Sequence, residues 1–517
     1  MPDQPPAQPP DHPADSPRTV ADFVRAAART RPEHPAIVAG ARTLTWAALD
    51  REVDAVVAGL VEAGLRPGAP DEPGDRVAVL FGNTPEFVAT YFGALRAGVV
   101  AVPLNPAYTA PELSALLAEA QARLVVRTEA AAAVVLAASE GIEGLRITSY
   151  DGLVGGHVGT PLAAGQEPVI DPETLALLLF TSGTSGEPKG AMLTHRALLA
   201  NVEQVAAAST ESVAPDDVVL AVLPLSHVYS LNGTLAMAAR AAATVVLVDR
   251  FDTEGALRAI EELGVTNVPG APPMFAAWSQ SPNLAERMAG VRLLFTGAAP
   301  MPAAVAEQVM TLTGKPLYEG YGLTEAAPGV SSTLVGGAPK PGSVGKPFPG
   351  VEVRLLDESG DEVDEGDPGE ISIRGANLFS GYWPDGSEGP DDEGWFNTGD
   401  VAYLDADGDL RLVDRRKELV IVSGFNVYPR EIEDVLQLIP GVSEAAVVGV
   451  PHPYTGEAVK AFVVAKDGSG LTADDVVAFC QTRLARFKCP TIVAMVDTLP
   501  HSAVGKVAKR RLREEAP

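Results

Sequence analysis

The stretch Thr-Ser-Gly-Thr-Ser-Gly-Glu-Pro-Lys-Gly, residues 181–190, decides how the rest of the sequence is interpreted. It follows a compact apolar run, Leu175 to Phe180, which predicts a buried strand. A helical pattern opens after it, near Thr194. The glycines and the proline predict that the ten residues form a loop and not a strand or a helix.

The side chains of this loop suit a polyphosphate ligand. Hydroxyl groups can donate hydrogen bonds, glycines let backbone N–H groups approach closely, and a lysine adds a mobile positive charge. The residues are Thr181, Ser182, Thr184, Ser185, Gly183, Gly186 and Lys189. A flexible linker is the alternative interpretation of such a composition. The Gly-x4-Gly-Lys-Ser/Thr spacing of P-loop ATPases does not fit, so that class is excluded.

The loop resembles the phosphate loop of the acyl-adenylate-forming (ANL) enzymes, which include acyl-CoA synthetases, 4-coumarate–CoA ligases, peptide-synthetase adenylation domains and beetle luciferase. Further motifs follow in that family's order, and the resemblance covers the chain from about Thr19 onward. It implies an ATP-dependent, AMP-forming acid–thiol ligase. Such an enzyme first reacts a carboxylic acid with ATP to give acyl-AMP and pyrophosphate. It then transfers the acyl group from acyl-AMP to coenzyme A.

Two motifs resemble the adenine pocket and the Tyr-Gly-x-Thr-Glu sequence of the family. They read Gly297-Ala298-Ala299-Pro300 and Glu319-Gly320-Tyr321-Gly322-Leu323-Thr324-Glu325. The resemblance implies that Tyr321 stacks on adenine and that Thr324 contacts the α-phosphate. Glu325 and Thr184 are the implied Mg²⁺ ligands, since this ion requires oxygen donors. A core tyrosine and a surface glutamate are the structural alternatives.

The ribose is assigned to two residues by resemblance. Trp395-Phe396-Asn397-Thr398-Gly399-Asp400 resembles a Thr-Gly-Asp motif whose aspartate accepts hydrogen bonds from the ribose hydroxyls. Arg415 matches the family's ribose-contacting arginine. Asp414 stands where the family has glycine, and Glu418 where it usually has aspartate.

His227 lies in Leu223-Pro224-Leu225-Ser226-His227-Val228-Tyr229, which resembles the segment that gates the acyl pocket. The resemblance implies that His227 orients or gates the acid, and we do not assign it as a base. Because apolar residues follow it, a histidine of the hydrophobic core is the alternative.

Near the C-terminus, Leu499-Pro500-His501-Ser502-Ala503-Val504-Gly505-Lys506 resembles the motif that carries the adenylation lysine. Lys506 is expected to bridge the acid's oxygen and the α-phosphate while charge develops there. His501 and Ser502 replace the common Arg-Thr pair. A solvated lysine in a basic tail is the alternative.

The segment that opens Ser423-Gly424-Phe425 resembles the wall of a pantetheine tunnel, which forms after the C-terminal domain rotates about Lys417. A glycine there would let a narrow arm reach the adenylate. This favours CoA as the acceptor, and the thiol of a carrier protein stays open because it would use the same tunnel.

Composition limits the class of protein. A chain of 517 residues predicts more than one domain, and a net charge of −28 argues against a nucleic-acid partner. Cys480 and Cys489 give neither metal-ligand spacing nor a disulfide framework. No apolar run is long enough for a transmembrane helix, and no signal peptide is evident, so we expect a cytoplasmic protein.

Apolar runs alternate with helical patterns over most of the chain, which predicts an α/β fold. We expect a disordered tail at residues 1–17, an AMP-binding domain at 18–413, a hinge at 414–417 and an α+β lid at 418–517. The large domain should contain two doubly wound layered subdomains and, after about Gly337, a small β subdomain.

The acid is predicted from what the expected acyl-pocket segments lack. Residues 228–235, 270–275 and 326–331 contain no charged side chain, so a second carboxylate would have no partner. This favours a medium- or long-chain fatty acid, with an aryl or hydroxycinnamic acid second. An enzyme that loads a carrier protein and a catalytically silent nucleotide-binding regulator are the remaining alternatives.

Overall fold

The computed structural model describes residues 17–159, 168–182, 188–209, 212–364, 366–415, 418–422, 425–452, 455–501 and 506–514. Two large sheets, a four-stranded sheet and a five-stranded sheet organise this part of the chain. The predicted α/β class is confirmed, with a large N-terminal region and a small α+β C-terminal region. The domain boundaries stay a prediction.

The large sheets are built from strands that are mostly parallel and alternate with helices. Their strands are β1 (Pro35–Ala39), β2 (Arg42–Thr45), β3 (Arg76–Leu80), β4 (Val100–Pro103), β5 (Leu124–Arg127), β6 (Arg146–Ser149), β7 (Leu175–Ser182), β8 (Pro188–Thr194), β9 (Val218–Ala221), β10 (Thr244–Leu247), β11 (Asn267–Gly270), β12 (Leu293–Thr296), β13 (Leu317–Gly322), β14 (Gly329–Ser332) and β15 (Lys346–Pro347). The six-stranded sheet has the order β6-β5-β3-β4-β7-β8, and the nine-stranded sheet has the order β15-β14-β13-β12-β11-β9-β10-β1-β2.

Helices connect these strands. They are α1 (Ala21–Thr30), α2 (Trp46–Glu62), α3 (Pro85–Arg96), α4 (Ala110–Glu119), α5 (Ala132–Ala138), α6 (Tyr150–Val154), α7 (His195–Ala208), α8 (Val228–Ser230), α9 (Met237–Ala241), α10 (Thr253–Glu262), α11 (Pro272–Trp278), α12 (Leu284–Arg287) and α13 (Ala303–Thr313). A π-helical turn, Leu231–Ala236, joins α8 to α9.

Local sequence explains where α3 begins. Thr84 caps the helix by accepting a hydrogen bond from the N–H of Phe87 at 3.3 Å. Pro85 occupies the first helical position, where its missing N–H costs nothing. Gly98 follows the helix with φ of 67°, a left-handed conformation that glycine adopts without strain.

One hydrophobic core joins the two large sheets. It contains buried residues of both sheets together with residues of α1, α2, α3, α7 and α9. Trp46, Phe87 and Phe92 are among its largest fully buried side chains. Since burial of each such side chain stabilises the fold by about 1.5–3 kcal/mol, this core fixes the two sheets relative to each other.

The C-terminal part contains two smaller sheets. The four-stranded antiparallel sheet consists of β16 (Val351–Leu356), β17 (Gly369–Gly375), β18 (Phe396–Leu404) and β19 (Leu410–Arg415). The last sheet and its helices comprise β20 (Val420–Val422), β21 (Phe425–Val427), β22 (Val442–His452), β23 (Gly456–Ala465), β24 (Ile492–Met495), α14 (Pro429–Gln437), α15 (Ala473–Gln481) and α16 (Lys509–Glu514). This second group has a hydrophobic core of its own, which includes Ile432, Val447 and Cys480.

The prediction for the ends of the 181–190 stretch was wrong. Thr181 and Ser182 continue β7, and residues 188–190 belong to β8, which pairs with β7 in an antiparallel hairpin. The helix α7 follows β8 and not the loop. Pro188 is tolerated because it is the first residue of a strand at the edge of the sheet.

Candidate active site

The phosphate-loop stretch is held at its two ends by the β7–β8 hairpin. Thr181 lies opposite Lys189 in the ladder, and its hydroxyl donates to the Lys189 carbonyl at 3.5 Å. Gly183, Thr184, Ser185 and Gly186, together with the side chain of Ser182, lie outside the described residues. Their contact with phosphate stays a prediction.

Lys189 is the cation at the base of this hairpin. Its ammonium forms an ion pair with Glu388 and lies 5.2 Å from the centre of the Tyr382 ring. A cation over an aromatic face is attracted by the negative centre of the ring. These two contacts hold the lysine side chain at the base of the hairpin.

The two motifs predicted to hold adenine occupy neighbouring strands. Gly297 to Pro300 follow β12, and Glu319 to Gly322 lie on β13, whose Glu319 is the register partner of Thr296. The backbone N–H of Met301 donates to the Glu319 carboxylate at 3.0 Å, which ties the two motifs together. Ala298 has φ of 69°, an uncommon left-handed conformation for a residue other than glycine. Such conformations cluster at functional sites.

Tyr321 and Asp400 are joined directly. The tyrosine hydroxyl donates to the Asp400 carboxylate at 2.7 Å, and both side chains are buried. Because Tyr321 is on β13 and Asp400 on β18, this bond links the nine-stranded sheet to the four-stranded one. Arg415 lies opposite Asp400 in the β18–β19 ladder, so the backbones of the two predicted ribose residues are neighbours.

Glu325 is a buried carboxylate with a single described donor on one oxygen. It lies in the short 3-10 turn Thr324–Ala326 and is 8% exposed. The hydroxyl of Tyr382 donates to Glu325 Oε1 at 2.6 Å. Such a carboxylate, with an oxygen left for a cation, suits the predicted Mg²⁺ ligand. Sequence reasoning missed Tyr382, and its only signal was an aromatic residue in the turn-forming run Gly-Tyr-Trp-Pro at 381–384.

His227 feels the charge of Lys506, the lysine of the C-terminal motif. Burial, and to a lesser extent the positive charge of Lys506, lower the pKa of His227 to about 4. The imidazole is therefore neutral at pH 7, which agrees with a gating or orienting role and not with that of a charged group. The charge of Lys506, from the small domain, therefore acts on the acyl-gate segment of the large domain.

A second charge of the small domain acts on Glu319. Burial raises the pKa of Glu319 to about 7, while the hydrogen bond from Met301 and the positive charge of Arg430 oppose that rise. Arg430 belongs to α14 of the small domain. The large domain and the small domain therefore both contribute ionisable groups to the predicted site.

Asn83 supports the His227 segment and was not assigned a role from the sequence. Its side-chain amide donates to the Leu223 carbonyl at 2.9 Å, and its side-chain oxygen accepts from the Leu225 N–H at 2.9 Å. Asn83 follows β3 of the six-stranded sheet, whereas Leu223 follows β9 of the nine-stranded sheet. This amide fixes the gate segment across the two sheets.

Three carboxylates outside the site lie close together within the described ranges, those of Asp405, Asp407 and Asp409. The ammonium of Lys340 contacts them at 2.7, 2.6 and 3.1 Å, respectively. These hydrogen bonds raise the pKa of Lys340. A lysine thus occupies the position that an ion would need.

Several predicted residues can be placed only in part. Lys417, Ser423 and Gly424 lie outside the described residues, and Phe425 is described only as the first residue of β21.

Within the described ranges, no helix combines the length and apolarity that crossing a bilayer requires.

Comparison with known proteins agrees with this geometry. The chain matches the model of the AMP-binding enzymes over residues 24–383 and that of the AMP-binding enzyme C-terminal domain over residues 431–506. A long-chain-fatty-acid–CoA ligase of Escherichia coli O157:H7 is 35% identical over 537 residues, with 96% of this chain and 95% of that protein covered.

A feruloyl-CoA synthase of an Amycolatopsis species is 38% identical over 493 residues, covering 94% of this chain and 96% of the relative. Among solved structures, ATP-bound MatB from Rhodopseudomonas palustris superposes with a TM-score of 0.88 at 33% identity, covering 96% of this chain and 98% of that one. The resemblance inferred from the motifs is confirmed: the chain belongs to the AMP-binding enzyme family and is an ATP-dependent, AMP-forming acyl-CoA ligase.

Proposed function

We propose that the acid activated by this ligase is a medium- or long-chain fatty acid. The observation that carries the proposal is the uncharged character of the three segments expected to line the acyl pocket. Their buried apolar side chains include those of Val228, Leu231, Leu235, Phe275 and Val330. An alkyl chain gains about 0.8 kcal/mol for each CH₂ group that it buries on such a surface.

Several polar groups of these segments already have protein partners, although the buried side-chain oxygen of Asn232 has none within the described residues. The amide of Asn232 donates to the carbonyls of Leu198 at 3.1 Å and Ala327 at 2.7 Å, and the hydroxyl of Ser331 donates to the Val344 carbonyl at 2.9 Å. A second carboxylate on the acid would be buried without a cation, which is costly. The name of the Escherichia coli relative supports the same class of acid.

A hydroxycinnamic acid is the second candidate, favoured by the position of Tyr229. The ring of Tyr229 lies 6.2 Å from that of Phe295, and its hydroxyl donates to the Gly270 carbonyl at 3.4 Å. A Cβ placed on Gly297 would lie 3.5 Å from the same ring. A flat aryl group suits such an aromatic wall, and the feruloyl-CoA synthase relative is consistent with it.

A panel of acids distinguishes the two candidates. AMP formation is measured with ATP, Mg²⁺ and CoA for saturated fatty acids of increasing length and for a series of hydroxycinnamic acids. We expect a higher kcat/KM for the fatty acids. A higher kcat/KM for the hydroxycinnamic acids would favour the second candidate, and AMP formation from neither class would contradict the proposal.

In the first half-reaction, a carboxylate oxygen of the acid attacks the α-phosphorus of ATP, and pyrophosphate leaves. Tyr321 and Asp400 hold the adenosine, and Lys506 stabilises the negative charge that develops on the α-phosphate. Glu325 and Thr184 would hold Mg²⁺, which neutralises phosphate charge when it is bound. His227 stays neutral and orients the acid.

In the second half-reaction, the CoA thiolate attacks the acyl carbonyl carbon and AMP leaves. We propose that the small domain rotates about Lys417 so that Ser423, Gly424 and Phe425 line the path of the pantetheine arm. Lys417→Pro should stiffen this pivot and slow thioester formation more than adenylation, because proline fixes φ. An unchanged thioester step would mean that the pivot lies elsewhere.

Two assays separate transfer to CoA from transfer to a carrier protein. CoA and a phosphopantetheinyl carrier protein are compared as acceptors, and we expect the higher rate with CoA. Acid-dependent exchange of labelled pyrophosphate into ATP measures the adenylation step separately from the transfer to either acceptor. A carrier-only thiol acceptor would contradict the CoA assignment while leaving the adenylation step intact.

A further inference from the structure

The loop between β17 and β18 runs along the phosphate hairpin. The Ser380 N–H donates to the Met192 carbonyl at 2.9 Å, and the Met192 N–H donates to the Gly381 carbonyl at 3.1 Å. The Phe379 N–H donates to the Glu325 carbonyl at 2.9 Å. This loop is therefore fixed to β8 and also to the turn that carries Glu325.

Tyr382 projects from this loop to the carboxylate of Glu325. Its hydroxyl lies 2.6 Å from Glu325 Oε1, the short distance of a bond between a hydroxyl and an ionised carboxylate. The ring packs edge-on against that of Phe379, with 5.1 Å between the ring centres. The rings of Phe379 and Phe396 also pack edge-on, with centres 4.9 Å apart. Because Phe379 is buried, the position of the tyrosine ring and of its hydroxyl is restricted.

The ring face of the same tyrosine contacts Lys189 of the hairpin. The lysine ammonium lies 5.2 Å from the centre of the Tyr382 ring. One side chain thus touches both the cation beside the phosphate loop and the carboxylate predicted to bind Mg²⁺. None of the sequence motifs assigns Tyr382 to either partner.

We propose that Tyr382 is a positioning residue that holds the Glu325 carboxylate for the metal ion and links it to Lys189. With one carboxylate oxygen fixed by the tyrosine hydroxyl, the carboxylate cannot rotate freely, and its remaining oxygen is presented to the ion. Hydrogen bonds to a ligating carboxylate of this kind commonly change metal affinity 10- to 100-fold. The ring face, together with the Glu388 ion pair, holds the lysine ammonium at the base of the β7–β8 hairpin.

This inference rests on the proposed metal-binding role of Glu325, and metal binding tests both separately from turnover. Mn²⁺ serves as the probe, in the presence of α,β-methylene-ATP, which cannot form an adenylate. Water-proton relaxation enhancement measures the Mn²⁺ bound to the protein–nucleotide complex. Tyr382→Phe removes only the hydroxyl and should weaken Mn²⁺ binding by about 10- to 100-fold.

Tyr150→Phe is the matched control. The Tyr150 hydroxyl donates to Glu52 Oε2 at 2.9 Å, so this substitution also breaks a tyrosine–glutamate hydrogen bond, between α6 and α2. Mn²⁺ affinity should be unchanged in Tyr150→Phe. Raised Mg²⁺ concentration should restore kcat in Tyr382→Phe, whereas a general loss of structure would not be rescued by the ion.

Tyr382→Leu separates the two contacts and serves as the second variant if Tyr382→Phe does not fold. It lacks both hydroxyl and ring, so it should weaken Mn²⁺ binding and also the metal-free binding of the ATP analogue. Tyr382→Phe should leave the metal-free binding as in the wild type. Equal metal-free affinity in Tyr382→Leu and the wild type would overturn the link to Lys189.

The outcomes for the carboxylate are equally distinct. If Glu325→Gln weakens Mn²⁺ binding but the Tyr382 variants bind the ion like the wild type, the inference is wrong and the metal role of Glu325 stands. If Glu325→Gln itself binds Mn²⁺ like the wild type, the metal assignment fails and the inference fails with it.

Discussion

On the large domain, side chains predicted to form the nucleotide site are joined in two pairs by direct hydrogen bonds. Tyr321 donates to Asp400 at 2.7 Å, and Tyr382 donates to Glu325 at 2.6 Å. The small domain acts on the same site through charge, since Lys506 lowers the pKa of His227. The large-domain part of the predicted site is therefore preorganised, whereas under the proposed rotation of the small domain the charge of Lys506 would leave the site without breaking those bonds.

The largest effect is expected from removal of the small domain's lysine. Lys506→Ala should slow adenylation by about 10²- to 10³-fold, because a charge that stabilises the transition state is lost. Acid-dependent ATP–pyrophosphate exchange measures this step. Formation of acyl-CoA from synthetic acyl-AMP should remain close to the wild-type rate, and an equal loss of both steps would contradict the assigned role of Lys506.

A smaller effect is expected from the bond that links the two sheets of the large domain. Tyr321→Phe removes the hydrogen bond from the tyrosine hydroxyl to the buried Asp400 carboxylate, and hydrogen bonds to charged groups contribute about 1.5–3 kcal/mol. The KM for ATP should rise, and the melting temperature should fall. Both half-reactions should be affected, in contrast to Lys506→Ala, and an unchanged KM and melting temperature would show that the bond has no such role.

The smallest effect concerns the charge interaction between the domains at Glu319. The folded protein holds the proton of Glu319 up to about pH 7, whereas an ordinary glutamate releases it near 4.5. The stability contributed by this proton is therefore full below about pH 4.5 and is lost as the pH rises through about 7. Glu319→Gln keeps an acceptor for the Met301 N–H and should remove this pH dependence.

Melting temperatures measured across that pH range test the assignment. Glu307→Gln, on the exposed side of α13, is the control and should retain the wild-type profile. Arg430→Met should shift the Glu319 titration upward, because a positive charge that favours the ionised carboxylate is removed. A profile for Glu319→Gln that matches the wild type would contradict the raised pKa.

The sequence predicted the order of motifs and the fold class well, because both depend on local pattern. Thr84, Pro85 and Gly98 signalled the limits of α3 by their own conformational preferences. The strand character of residues 188–190 could not be read in this way, since it comes from pairing with β7. Glycine and proline indicated a loop there, and the tertiary pairing overrode that preference.

Contacts between residues far apart in the chain also could not be predicted from the sequence. Asp400 and Tyr321 were assigned to ribose and adenine separately, and nothing in either motif shows that they bond to each other. Tyr382 was missed because its role depends on the fold, which brings the β17–β18 loop against Glu325. Asn83 supports the gate segment in the same way, through carbonyl and N–H groups that no residue pattern reveals.

The left-handed backbone at Ala298 restricts how this family member can vary. A branched Cβ such as that of valine or isoleucine clashes with the backbone in that conformation, whereas glycine, asparagine and aspartate are tolerated. Random mutagenesis of the turn after β12, followed by selection for activity, should therefore yield only a few residue types at position 298. The backbone conformation at position 298, and not the chemistry of its side chain, would limit which substitutions are accepted there.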